Sequence, residues 1–222
     1  VELFIFWKNY IDNNNVVLIN VSHTCYNLAI PLRIAINRNI KSIQLNAHGF
    51  YQLNQNQVYA YRLEHVYPKV FKKFTNIEKE NSLKWAKLRI EKRFAGKVGI
   101  DMQYSKKSAW GKTNSKNVLT NSKKLKILIA THCFFDSPHG NGINFFTDFF
   151  EWFEYLGKKS INSNFEWYVK THPDVEPGND EVIDYFLKKY PNLKLIEAET
   201  SHHQLISEGI NVALTVFGTI GF

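Results

Sequence analysis

Apolar positions along this chain fall into two alternating rhythms, short β-branched runs and steps of three or four residues, and the alternation predicts an α/β protein. Val16, Val17, Leu18, Ile19 and Val21 form a run that predicts a buried parallel strand. A loop over 22–26 leads into helical spacing at Leu28, Leu32, Ala35 and Ile36, with Pro31 placed near the helix start, where proline is tolerated. Residues 43–45 predict a second strand. A polar Asn/Gln-rich connection over 52–57, a long basic helical region and a Gly/Lys-rich loop over 94–110 follow.

The second part of the chain is more regular. Residues 125–131 predict a strand, and 132–141 a loop. Phe145, Phe146, Phe149, Phe150, Phe153 and Leu156 predict a helix closed by Gly157. Residues 167–170 predict the next strand, and Asn179 caps a helix that opens on Asp180 and Glu181 and stops before Pro191. Residues 193–196 predict a strand. Ser201 to Gln204 has the spacing of a capping box, Gly209 stops that short helix, and 211–216 predict a last strand. A β-α-β-α-β-α-β order with short connections predicts a parallel sheet covered on both faces. Ligands of such sheets sit beyond the carboxyl ends of the strands. Those ends carry Thr131 and His132, Lys170 to Pro173, and Phe217 to Thr219.

The polar stretch 111–124, rich in Thr, Asn, Ser and Lys, has no apolar period and reads as a linker. It divides the chain into residues 1–110, an α/β part with the basic helical region, and residues 125–222. The first residue is Val1 rather than Met, and the sequence stops at Phe222 after an apolar run, which reads as a piece of a longer protein.

Charge changes this picture in one place. Residues 62–126 hold 18 Lys/Arg against 5 Asp/Glu, within a chain whose formal net charge is +8. A basic middle attracts anionic phospholipid, a sugar-phosphate acceptor or nucleic acid, or else it is a solvated helical face. Its aromatic residues (Tyr67, Phe71, Phe74, Trp85, Phe94) are spaced for helix packing rather than for base stacking, which argues against nucleic acid. No apolar run reaches the roughly 20 residues needed to span a bilayer. Cys25 and Cys133 lie far apart, without metal-site spacing, and read as reduced, partly buried thiols.

Three motifs carry candidate chemistry. Lys170-Thr171-His172-Pro173-Asp174 leaves a strand and turns at Pro173, so that Lys170 and His172 can both reach a phosphate. The plainer reading is a strand-end His bonded to backbone. Phe217-Gly218-Thr219-Ile220-Gly221 either opens a helix whose N–H groups bind an anion or makes a tight turn. The loop from His132 to His139 contains Asp136, which could pair with His139 as acid and base or simply cap the loop. A metal would need a third ligand at fixed spacing, and none is present.

These residues resemble those of bacterial capsule or surface polysaccharide biosynthesis proteins, glycosyltransferases of the two-Rossmann-domain GT-B type. Their His-Pro motif is shared in looser form with bacterial sialyltransferases, Kdo transferases and polyol-phosphate polymerases. The resemblance rests on Lys170-Thr171-His172-Pro173, Ser201-His202-His203 and the run from Leu214 to Gly221. Ala130-Thr131-His132, Asp136-Ser137-Pro138-His139 and Arg93-Phe94-Ala95-Gly96-Lys97 support it. Over residues 16–46 it is thinner, resting on Ser22-His23, Tyr26-Asn27 and Pro31-Leu32-Arg33.

The resemblance implies a GT-B-like fold of Rossmann-like parallel sheets with an incomplete C-terminal half. It implies a nucleotide-sugar donor, a polysaccharide or lipid-linked acceptor, no cofactor and no metal, and work in the cytoplasm at the inner face of the membrane. In that setting His172 contacts the donor phosphate with Lys170 in support. Thr131, His132, Ser201, His202, Thr215, Gly218 and Thr219 line the donor site, and residues 125–222 are the donor-binding domain. Asp136 and His139 join His172 as catalytic candidates, and His23 or Glu64 is the candidate base on the acceptor side. A CDP-polyol phosphotransferase and a non-catalytic basic module binding nucleic acid or acidic glycans are the alternatives. The acidic residue that often follows the Gly-Thr-Ile-Gly stretch in this family falls past Phe222, which puts donor binding by these 222 residues in doubt.

Overall fold

In the computed structural model the described residues are all except 47–48, 61–65, 101–104, 112, 114–115, 137, 141–144, 175–176 and 222. Glu64 and Ser137 therefore lie outside them. The chain forms two compact units, Val1–Lys73 with Ser137–Thr147, and Phe74–Asp136 with Asp148–Phe222.

The first unit holds helix α1 (Glu2–Asn13), strand β1 (Leu18–Val21), helix α2 (Tyr26–Asn37), strands β2 (Lys41–Asn46) and β3 (Gly49–Leu53), and short helix α3 (Tyr67–Lys72). β1 runs parallel to β2 and β2 antiparallel to β3, giving the order β1-β2-β3. Its core gathers Val21, Leu32, Ile36, Leu53 and Ala60. β1 is parallel as its composition predicts but is not buried: only Val21 of its four residues is, because the strand lies at the sheet edge. Pro31 falls within α2 rather than in its first turn, so it has no N–H to offer the Asn27 carbonyl.

The second unit holds the long helix α4 (Asn76–Phe94) and then β4 (Lys126–Ala130), α5 (Phe149–Ile161), β5 (Glu166–Lys170), α6 (Asn179–Lys189), β6 (Leu193–Ile196), α7 (His202–Ser207) and β7 (Val212–Leu214). A 3-10 turn follows at Thr219–Gly221. This is the predicted alternation. The sheet order is β6-β5-β4-β7, and every pairing is parallel. All of β4 and all but the first residue of β5 are buried. Since successive side chains point to opposite faces, the centre of the sheet is covered on both. Leu119, Leu128, Tyr168, Ile196 and Leu205 form one core cluster. Phe134, Phe153 and Phe186 form an aromatic one, with the Phe153 and Phe186 rings 4.7 Å apart.

Several local expectations are corrected. α5 starts at Phe149, where the Asp148 carboxylate accepts from the Glu151 N–H, and it runs through Gly157 to Ile161. Gly157 is a packing glycine: a Cβ there would collide with the Tyr190 ring. Phe145, outside the helix, is exposed. Gly178, at φ 82°, takes the cap position of α6, and the buried Asn179 side chain accepts from the Phe134 N–H instead. Residues 116–124, polar by composition, are tied into the second unit: Leu119 is buried there, and the Val118 and Leu119 N–H groups donate to the Glu208 carboxylate at 2.8 and 2.7 Å. Among the described residues no helix is long and apolar enough to cross a membrane.

Candidate functional site

β4 has β5 on one side and β7 on the other, so the chain reverses its direction of travel across the sheet there. Open parallel sheets hold ligands at such a reversal, beyond the carboxyl ends of the strands. The Thr131 N–H donates to the Lys170 carbonyl at 2.9 Å, which carries the β4–β5 ladder one step past the strands. His132 and His172 therefore leave the sheet together, with ring centroids 6.1 Å apart. Phe149, at the start of α5, and Phe217, after β7, lie 5.4 and 5.9 Å from the His132 ring.

Both histidines are half-buried. Burial, followed by the neighbouring His172, holds the His132 ring below the ordinary histidine range, and the Asp136 carboxylate opposes this. His172 Nδ1 lies 3.1 Å from both the N–H and the carbonyl of Asp174. In the tautomer that accepts from the N–H, the ring proton sits on Nε2 and can be donated to an anion. Asp174 is held by the Ser105 hydroxyl at 2.8 Å. The bland expectation for His172, a strand-end ring bonded to backbone, is thus met while its other nitrogen keeps its chemistry.

A second grouping is more deeply enclosed. Lys170 is 1% exposed, and burial lowers its ammonium to about 8, with Glu199 opposing. His202 is buried too: desolvation, then Lys170 and His203, push it down to about 3, so it is neutral near pH 7. Its Nδ1 has no hydrogen-bond partner among the described residues, and neither does the Thr200 hydroxyl. A cavity of about 470 Å³ opens beside β6, with Thr200, Glu197 and Lys116 in its wall. Glu199 is itself paired with Lys107.

Trp110 packs on the His202 side of this grouping. Its ring stands 4.5, 5.0 and 4.8 Å from Phe94, His202 and His203, and its Nε1–H donates to the Thr219 hydroxyl at 3.1 Å. Sequence reasoning missed it. The one available signal was a large aromatic residue stranded in a Gly/Lys-rich stretch.

Other expected site residues are occupied within the fold. The Ser201 hydroxyl caps α7 by accepting from the His203 N–H at 3.2 Å. The reciprocal half of a capping box is not formed, since the Gln204 amide donates to the Lys116 carbonyl and to Glu208. The Thr215 hydroxyl accepts from the Gly218 N–H at 2.9 Å. A Cβ on Gly218 would strike that hydroxyl. Here the tight-turn reading describes the geometry better than an open helix N-terminus, because a threonine three residues earlier already satisfies the N–H.

Asp136 and His139 fall in different units. Asp136 is exposed and its N–H donates to the Cys133 carbonyl. His139 Nδ1 lies 3.1 Å from the Tyr26 hydroxyl. His23 Nδ1 lies 3.0 Å from Cys25 Sγ. Both cysteines are buried, and burial pushes the Cys25 thiol up. No group of three His, Cys, Asp or Glu side chains among the described residues could hold a metal ion.

Chemically, the sheet edge offers one buried ammonium, one imidazole able to donate from Nε2, one imidazole biased to neutrality, and backbone held rigid by a buried parallel sheet. That set suits an anionic ligand carrying phosphate. A scan against protein-family models, a search of curated proteins and a search of solved structures return no match to this chain.

Proposed function

We propose that this chain is part of a GT-B-type glycosyltransferase whose second unit, a Rossmann-like domain, binds the nucleoside diphosphate end of a sugar donor. The observation that carries the reading is the meeting of His132 and His172 at the chain reversal of a parallel sheet, with Lys170 buried at the end of β5, two residues before His172. In transfer from a nucleotide sugar the leaving nucleoside diphosphate gains negative charge as the glycosidic bond breaks. The Lys170 ammonium and the Nε2–H of His172 are fixed donors for that charge. Because Lys170 is enclosed, its charge is poorly screened by water and acts more strongly on a phosphate than a surface lysine does. His132, held towards neutrality, adds a hydrogen bond without adding charge.

Ser201, Thr215 and Gly218 shape the edge through their internal bonds rather than by grasping the ligand. The acceptor, a surface polysaccharide or a lipid-linked precursor, and the base that activates it belong to the first unit in this reading, with His23 as the described candidate.

The test is release of nucleotide from a panel of nucleotide sugars, compared between the unaltered protein and His172→Ala. Loss of a single fixed donor to the leaving group lowers kcat by about a hundredfold or more. Turnover with CDP-glycerol or CDP-ribitol in place of a sugar donor would reassign the protein to polyol-phosphate transfer. Equal turnover by the two proteins would remove His172 from the reaction.

A further inference from the structure

Helix α4 carries the largest net positive charge of the described elements, and it is little embedded. It is 19 residues long, six of them Lys or Arg and three Glu, and none of its residues is buried. A reciprocal capping box holds its start: the Thr75 hydroxyl accepts from the Glu78 N–H while the Glu78 carboxylate accepts from the Thr75 N–H at 2.8 Å. The helix is therefore set by its own ends and side-chain pairs rather than by a core.

The distribution of its apolar residues is inverted. The half-buried positions are mainly polar: Lys79, Ser82, Arg89 and Arg93, with Phe94 at the end. The outward stripe at helical spacing carries Ile77, Asn81, Lys84, Trp85, Leu88 and Lys92, all exposed. Ile77 and Trp85 are 71% and 59% exposed. Three large apolar side chains thus share one face with two lysines, while Glu78 and Glu91 stand at its two edges and Leu83 and Ile90 are exposed off it. The Arg89 guanidinium stands 4.3 Å over the Trp85 ring, which adds a cation at the rim.

We infer that this face docks on an anionic phospholipid surface, with Ile77, Trp85 and Leu88 entering the headgroup boundary and Lys84 and Lys92 lying among the phosphates. Charge complementarity selects the occupant. A neutral bilayer or an apolar protein groove would leave the lysines without counter-charge, whereas anionic headgroups answer both halves of the stripe. The indole is suited to this depth, having an apolar body and a polar N–H. The helix lies on the surface and does not cross it.

The experiment is co-sedimentation of the protein with vesicles of phosphatidylcholine alone and of phosphatidylcholine mixed with phosphatidylglycerol. It needs no nucleotide, so its outcome is independent of the transferase reading. Partition onto the mixed vesicles alone, released by high salt, is expected. Lys84→Gln with Lys92→Gln lowers that partition about 30-fold. Leu88→Ala with Trp85→Ala lowers it about tenfold or more while leaving its salt dependence in place. All four positions are exposed, and an unchanged circular dichroism spectrum verifies the fold of each variant. Equal binding to both kinds of vesicle, or full binding by the lysine variant, overturns the inference. So does displacement from the vesicles by duplex RNA with the same dependence on Lys84 and Lys92, which would make nucleic acid the occupant.

Discussion

The two polar groupings at the edge of the four-stranded sheet each hold histidine and differ in how much water they keep. His132 and His172 are half-buried, with Phe149 and Phe217 against the His132 ring. Lys170 and His202 are nearly sealed, with Trp110 against the His202 ring. Enclosure weakens the proton affinity of the inner pair: the lysine sits at about 8 and the histidine at about 3. The outer pair can meet a ligand as it stands. The inner pair carries an electrostatic strain that an anion would relieve, which is how a fold holds a site ready at the expense of stability.

The strongest way to break this comparison is acid. His202 binds its proton more weakly in the folded than in the unfolded state, so the unfolded chain takes up the proton first as pH falls. Stability is fully present above the ordinary histidine value and is lost as pH drops from about 6.5 towards 3, by about 3–4 kcal/mol. His202→Leu flattens that part of the profile in urea titrations at stepped pH. Unchanged acid sensitivity in the variant would mean that His202 is not the sealed group described above.

Lys170 gives the next largest effect, on the alkaline side. Its folded value lies below the unfolded one, so the cost of keeping it charged is full below about 8 and fades as pH rises towards 10.5. Lys170→Met should raise stability at neutral pH by about 2–3 kcal/mol while weakening nucleotide binding. A destabilised variant would show that the ammonium is better paired than its enclosure indicates.

Trp110→Phe shortens the buried indole to a single ring and removes the N–H bonded to Thr219, costing about 2 kcal/mol in urea unfolding. The smallest effect belongs to the outer pair. Phe217→Ala admits water to His132 and moves its titration back towards the ordinary histidine value, followed by NMR of the ring protons, with little change in stability.

The alternation of β4 to β7 with α5 to α7 was legible because buried parallel strands and amphipathic helices write their periods directly into the apolar residues. His132 and His172 were legible as strand-end residues for the same reason. Other features depend on tertiary neighbours. Gly157 looks like a helix terminator until Tyr190 is packed against it. Asn179 looks like a cap until Gly178 takes that position. Gly218 and Thr219 look like an anion-binding turn until Thr215 and Trp110 are seen to occupy their polar groups. The influence of the Lys170 charge on His202 joins a strand end to a helix start more than thirty residues apart; the resemblance places both at one site, but no local spacing announces their shared burial. α1 and β3 were missed altogether, the first within a chain-end apolar run and the second in a segment with too few β-branched residues to stand out.

The central claim is that the carboxyl edge of this sheet holds nucleotide phosphate, and calorimetric titration tests it most directly. UDP, CDP, CMP, GDP and ADP are titrated into the protein and into His172→Ala. One nucleotide binding selectively, with affinity lost in the variant and proton uptake near pH 8 as Lys170 is charged by the bound phosphate, is the predicted result. No binding by any of the five, or binding indifferent both to the base and to His172, would contradict the account.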